Sequence, residues 1–275
     1  MKTSNRRSPC GSQSGAIAID RDRRFDLYHL ISIQSFPYRL SMTCQPHPKR
    51  PHTTVVLAMS ADGKIADARR SPVLFGSPHD KAHLERQVAL ADAVLGGAGT
   101  LRTGGTAMRV LDPDLLDERQ SRGKPPQPVQ IVASGSGKID PDLPFFQQPI
   151  PRWLVSTQAG ATLWRDRPGF DRLLVAEGSD REIDWAIALA AMAELGIERL
   201  AVLGGGQLVG SLLSADVLDE LWLTVCPLLV GGMAAPTPVD GEGLLATEAK
   251  RLELLDVRQV EGELFLHYRL KRKTE

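Results

Sequence analysis

Several short stretches of this chain put glycines, hydroxyls or charges where a ligand could be held. In "VLGGAGTLRTGG" (94–105) and "RLAVLGGGQLVGSLL" (199–213), an apolar run meets glycines and then a small polar residue or a helical pattern. Glycines let a backbone approach a phosphate closely, and N–H groups freed at a helix N-terminus attract the anion. Neither stretch is a dinucleotide fingerprint of the doubly wound fold: counted from Gly204, the last glycine would fall at 209, where Val209 stands. Neither is a P-loop, since no lysine follows. One such stretch alone is equally well a tight strand-to-helix turn. Two in one domain point to a cradle, because ligands of open α/β sheets gather beyond the carboxyl ends of strands. In "SADGKIA" (60–66), Asp62-Gly63 is a turn pair, and Lys64 can reach an anion or a carbonyl. His79 and His83 in "HDKAH" lie four apart on a helix, but no third ligand is evident, so no metal site is expected. Cys226 lies in an apolar run before Pro227, where a thiol is inert.

The elements that must position these residues are legible. "TTVVLAM" (53–59) reads as a buried strand. Residues 78–92 follow a helical period, with Ser77 as N-cap and Pro78 at the first helical position. "AVLGGAGT" (93–100) reads as a strand entering a glycine-rich turn. "VQIVAS" (129–134), "RWLVS" (152–156) and "RLLVA" (172–176) read as strands, and 181–196 as a helix stopped by Gly196. A strand at 199–203, a short helix at 206–214 and a long apolar strand at 220–230 follow. Residues 251–257 and 263–270 alternate apolar and polar positions and form an antiparallel hairpin. "DERQSRGKPPQP" (117–128) reads as a polar surface loop. The class is α/β, with a mixed, mostly parallel sheet flanked by helices and closed by the hairpin.

Bulk properties bound the rest. The 275 residues carry 33 basic and 33 acidic side chains, which gives no overall pull towards nucleic acid or membrane. Residues 1–50 are basic, with nine Lys/Arg against three Asp, and lack periodicity, so they read as a disordered tail before a domain at 51–275. Met42 offers an alternative start ten residues before the first strand. A short element near 26–33 is also possible. No apolar run approaches the ~18 residues of a membrane span, and the three cysteines form no disulfide framework. A reducing, cytoplasmic setting is the default.

Three blocks in order, "VVLAMSADGKIA", "ADAVLGGAGTLRT" and "LGGGQLVGSLLSADVLDELWLTVCPLLVGG", resemble the reductase domain of the bifunctional riboflavin-biosynthesis deaminase/reductase family and its stand-alone relatives. The likeness covers about residues 51–270. It implies a dihydrofolate-reductase-like fold, NADPH as hydride donor and a homodimer. The deaminase half, with its His/Cys zinc site, has no counterpart. The resemblance places the cofactor at Ala58, Thr100, Gly104, Ser134, Gly205, Gly206, Gln207 and Leu208. Ser134 and Lys138, in a stretch that bares N–H groups, suit the cofactor's 2′-phosphate. Asp62 and Lys64 are candidates for orienting groups or a proton relay.

The substrate half departs from the family. Leu203 stands where the family has a glutamate, and Val88 where it has an arginine. "TGGTAMRV" replaces an Asp-x-Pro-x-Leu-x-x-Arg run, with Gly104 at an aspartate position and Leu111 near the arginine position; Arg109 lies two residues before. "LFG" (74–76) stands for Trp-Ile-Thr. Leu203, Val88 and Met108 are thus the expected substrate positions. Loss of a carboxylate and a guanidinium predicts a less polar substrate without a phosphate. Three functions stay open: the riboflavin-pathway reduction, a same-fold reduction of another carbonyl, imine or pteridine-like compound, and nucleotide binding without catalysis.

Overall fold

The computed structural model describes residues 49–71 and 76–272. The readings made for residues 1–48 lie outside the described residues, as do Leu74 and Phe75 of "LFG".

Among the described residues, nine strands form one sheet. β1 (His52–Ser60), β2 (Ala93–Gly97), β3 (Val129–Ala133), β4 (Arg152–Ser156), β5 (Arg172–Val175), β6 (Arg199–Val202) and β7 (Glu220–Cys226) are mutually parallel; β8 (Arg251–Val260) and β9 (Glu263–Lys271) close it as an antiparallel hairpin. The spatial order is β5-β4-β3-β2-β6-β1-β7-β9-β8. This is the expected mixed, mostly parallel dihydrofolate-reductase-like sheet. The inner strands read as unbroken apolar runs because both of their faces are covered. Val94, Leu95, Leu200, Ala201 and Val202 are all buried.

Helices cover the faces: α1 (Pro78–Leu90), α2 (Ala98–Gly104), α3 (Pro113–Ser121), α4 (Gln158–Thr162), α5 (Trp185–Glu194) and α6 (Gly206–Ser214). α5 and α6 bury Leu189, Met192, Leu208 and Leu212 against Leu95, Val155 and Val202. α1 and α3 bury Val88, Ala89 and Leu115 against Val94 and Ala201. α1 starts as expected, with the Ser77 hydroxyl accepting from the His79 and Asp80 N–H groups. Its far end is held by α3: the buried Arg119 guanidinium donates to the carbonyls of Ala89 and Ala91, both at 2.7 Å.

Four boundaries differ from the sequence reading. The polar stretch 117–128 is not all loop: α3 runs to Ser121, capped by the Asp112 carboxylate with Pro113 behind it, and Leu115 supplies the buried face. The glycine-rich turn after β2 is itself the helix α2, ended by Gly105 at φ 69°. α5 starts at Trp185, because Asp184 caps the Ala186 and Ile187 N–H groups; Gly196, at φ 85°, lies just beyond its end as expected. β7 stops at Cys226, since Pro227 has no N–H for the ladder.

Candidate active site

Four strand ends lie side by side. The topology makes β3, β2, β6 and β1 consecutive neighbours, and their carboxyl ends carry Ser134, Thr100, Leu203–Gly205 and Ala58 in turn. β6 enters between β1 and β2, so the strand order reverses there, which is where open α/β sheets leave a crevice for ligands. The sequence stretches that looked like separate turns therefore line one edge.

Two glycine junctions touch at its centre. The Gly97 N–H donates to the Gly204 carbonyl at 3.0 Å. A methyl group built on Gly205 would lie 3.2 Å from Thr100 Oγ1, so the threonine hydroxyl sits directly over the start of α6. Gly204 has φ 93°, which a side chain would strain, and the Gly204–Gly205 peptide is cis. The N–H groups of Gln207 and Leu208, in the first turn of α6, have no acceptor among the described residues. Free N–H groups, an exposed hydroxyl and no side chain between them fit a diphosphate.

Gly206 has a different cause. Any Cβ there would collide with the Thr237 carbonyl and the Asp240 carboxylate, and one on Gly210 would collide with the Asp240 carbonyl. The loop after β7 packs its backbone onto α6, and its Asp240 N–H donates to the Gly206 carbonyl at 3.0 Å. Glycines four apart on one helix face were the signal for this approach, and the sequence reading took only the first of them as part of a cradle.

The same loop reaches back to β1. Asp62 Oδ1 accepts from Ser60 Oγ at 2.6 Å and from the Val230 N–H at 3.1 Å, and Oδ2 accepts from the Gly231 N–H at 2.6 Å. These bonds hold its carboxyl down at about 2, with the Ser60 hydroxyl the largest influence. A carboxylate that firmly ionised and fully engaged is a latch, which does not fit a proton relay. Lys64 Nζ donates to the Ala235 carbonyl at 3.1 Å, further along the same loop. Both candidates from "SADGKIA" thus bind the loop.

The other expected positions separate. Ser134 lies at the end of β3, where its N–H continues the ladder to Val155. Lys138 is exposed nearby, and Gly104 is exposed at the last position of α2. Leu203 and Met108 are partly buried and pack against the apolar cluster of α1 and α3. Val88 is 0% exposed inside that cluster and presents no surface to a substrate. His79 and His83 do not converge: His79 points to Glu261 at 3.6 Å, whereas the His83 ring sits edge-on to Trp222 and Phe265. Among the described residues no group of three or more His, Cys, Asp or Glu is placed to hold a metal ion. Burial, with Glu263 and Asp80 beside it, pushes the Cys226 thiol up to about 12, so it is inert.

Residues 51–266 match the family model described as the RibD C-terminal domain. The chain belongs to that family. A 2,5-diamino-6-ribosylamino-4(3H)-pyrimidinone 5′-phosphate reductase of Archaeoglobus fulgidus is 30% identical over 196 residues, covering 71% of this chain and 89% of that protein. Its namesake in Methanothermobacter thermautotrophicus is 29% identical, covering 81% and 99%. A pyrimidine reductase-like protein of Corynebacterium diphtheriae shares the fold with TM-score 0.67 at 20% identity, over 81% of this chain and 93% of that one. Acinetobacter baumannii RibD aligns with TM-score 0.64 at 19% identity, and the RibD C-terminal domain fold here spans 59% of that longer chain. Among the described residues no helix is long and apolar enough to cross a membrane.

Proposed function

We propose that this protein is an NADPH-dependent reductase of the riboflavin-pathway type, which reduces the sugar carbon of a ribosylaminopyrimidine phosphate. The relatives that cover most of this chain carry that reaction in their names. The observation that supports the reading is that β3, β2, β6 and β1 are consecutive neighbours, so that Ser134, Thr100, Gly205 and Ala58 all belong to one edge of the sheet, with Thr100 against Gly205. NADPH, when bound, supplies the hydride. Thr100 and the N–H groups of Gln207 and Leu208 would hold its diphosphate, with Gly205 leaving room beside the threonine hydroxyl. Ser134 and Lys138 face its 2′-phosphate. Leu203 and Met108 form the apolar floor under the substrate. C1 of the opened sugar would take that hydride, with the balancing proton from water or a nearby acid other than Asp62, whose carboxylate is engaged by Ser60 and the loop after β7. Positioning rather than side-chain acid–base chemistry carries the rate.

The partly buried Leu203 supports a second reading, a same-fold reduction of a less polar compound. One assay separates the two. NADPH oxidation is followed on addition of the pyrimidinone phosphate, with NADH in parallel. Turnover with NADPH supports the first reading; NADPH binding without turnover of this substrate overturns it. Turnover that appears only in Leu203→Glu assigns the lost specificity to that position. Val88→Arg is unsuited to the same purpose, because it would bury a guanidinium in the α1–α3 core.

The assembly in this reading is a cytoplasmic homodimer. Its support is β8, an edge strand with Leu254 and Val257 each 53% exposed. β8 is a long edge strand with one side of its backbone unpaired, and such an edge can pair with a second copy.

A further inference from the structure

At the carboxyl end of β7, two carboxyl groups from distant parts of the chain share one corner. Glu263 opens β9 and is 3% exposed. It accepts from the Ser77 N–H at 2.9 Å and from the Ser77 hydroxyl at 2.6 Å. Asp80 lies in the first turn of α1, three residues after that serine. It is partly buried, and the buried Thr224 hydroxyl donates to it. Gly76 leaves room for it, since a Cβ there would fall on Asp80 Oδ2. The groups facing Asp80 are Thr224 and Cys226 of β7, Glu263 of β9 and Ser77 at the start of its own helix. Two carboxylates this close repel, which favours a proton on one of them. Burial raises the Asp80 carboxyl above its ordinary value, the Thr224 hydroxyl pulls the other way, and Glu263 adds to the rise.

That corner adjoins the edge assigned to the substrate. Thr224 pairs with Ala58 on the neighbouring strand β1. Partners in register point to the same face of the sheet, on strands about 4.8 Å apart. Trp222, two residues before Thr224, meets the His83 ring of α1 at 4.6 Å, so the shared face is the one that α1 covers. Leu203 and Met108 pack on that face too. Ala58, Leu203 and Met108 have no side-chain proton to give. Asp62 and Lys64 are tied to the loop after β7. The His83 imidazole, pulled down to about 4 chiefly by burial, is neutral at pH 7, and the Cys226 thiol is inert. Among the described residues at this edge, Asp80 is the carboxyl that keeps a proton.

We propose that Asp80 is the acid of the reduction, delivering its proton to the substrate as C1 takes the hydride. The proposal rests on the reductase reading. With the sugar open, C1 and the amino nitrogen form an imine. The electron pair of the hydride makes the new C1–H bond, and the π pair of the C=N bond makes an N–H bond with the proton from Asp80. The substrate gains two electrons and NADPH loses them. Asp80 is left as a carboxylate and takes a proton from water on its exposed side. An acid placed in this way contributes about 10²–10⁴-fold to a rate.

Two measurements test it, one of them without substrate. In infrared titration of the ligand-free full chain, one carboxyl keeps its protonated C=O stretch after the other acids have ionised, and Asp80→Asn removes that band. With NADPH and the pyrimidinone phosphate, Asp80→Asn lowers kcat by about a hundredfold or more, while KM and NADPH affinity stay within about threefold and near-UV circular dichroism is unchanged. Wild-type kcat falls as pH rises and Asp80 loses its proton, and Asp80→Asn lacks that limb. Asp80→Glu keeps an acid there, retains the limb and restores at least about a tenth of wild-type kcat. Turnover by Asp80→Asn within about threefold of wild type overturns the proposal and leaves the reductase reading intact. A wild-type spectrum without the band, or a band that survives Asp80→Asn, overturns it even if kcat falls, because the proton then sits elsewhere. If wild type does not turn this substrate over, the reductase reading fails and this step fails with it.

Discussion

Asp62 shows how residue type and residue role can part. An Asp-Gly turn beside a lysine reads as chemistry, yet the carboxylate spends its acceptors on Ser60 and on the loop after β7. Asp62→Asn should therefore loosen that loop and lower the melting temperature, while kcat stays within about threefold of wild type with an unchanged pH profile. A loss of two or more orders of magnitude in kcat would restore the relay role. His83 makes a second case. Its folded pKa, about 4, lies below that of a free histidine, so the unfolded chain binds the proton first as pH falls. The stability it contributes is present above pH ~6.5 and is lost as pH falls from there towards ~4. Denaturant midpoints measured across that window should fall with pH in wild type and run flatter in His83→Gln. That Thr100 lies against the glycines opening α6 was legible only through the resemblance, because strand-end hydroxyls such as Ser60 and Ser156 also serve purely structural bonds. Val88 was misread because sequence position alone does not say which side of a helix meets a ligand.

At the scale of elements, strands and long helices were legible, and the short helices were not. β1, β2, β3, β4 and β6 stand out as apolar runs closed by turns, and α1 by its Ser77-Pro78 start. α3 was hidden inside a charged stretch, because only Leu115 and Arg119 are buried on it. Its arginine acts through backbone carbonyls of another helix, which no local pattern reveals. The loop between β7 and β8 was equally hidden, since its contacts run through backbone atoms. The glycines it packs against make that contact testable. Gly210→Ala should destabilise the domain by about 3 kcal/mol and weaken NADPH binding with it, because α6 must shift away from Asp240. Gly96→Ala, where a methyl group meets nothing within 4 Å, should cost less than about 1 kcal/mol. Equal costs in urea melts would mean that the loop follows the helix freely.

For the whole molecule, the class and the strand partners of the hairpin followed from alternation and order, while the position of β6 did not. Nothing in "RLAVL" says that it passes between two strands encoded more than a hundred residues earlier. One clamp ties the start of the sheet to its end. Asp219 accepts from both terminal nitrogens of Arg50 at 2.7 Å, from the Thr53 N–H and from Arg272. Burial pushes its carboxyl up, but these donors outweigh burial and hold it low. The free edge at β8 is the opposite case. Leu254→Lys combined with Val257→Lys should shift sedimentation from dimer to monomer with little change in NADPH affinity; an unchanged dimer would place the interface elsewhere. The place of β6 also bears on how the chain is made. Until residues 199–202 leave the ribosome, β1 and β2 have no shared neighbour, and each carries an open row of peptide groups. The nascent chain must shelter those edges through most of its synthesis, so release of a truncated product ending before β6 should yield aggregate rather than a smaller domain.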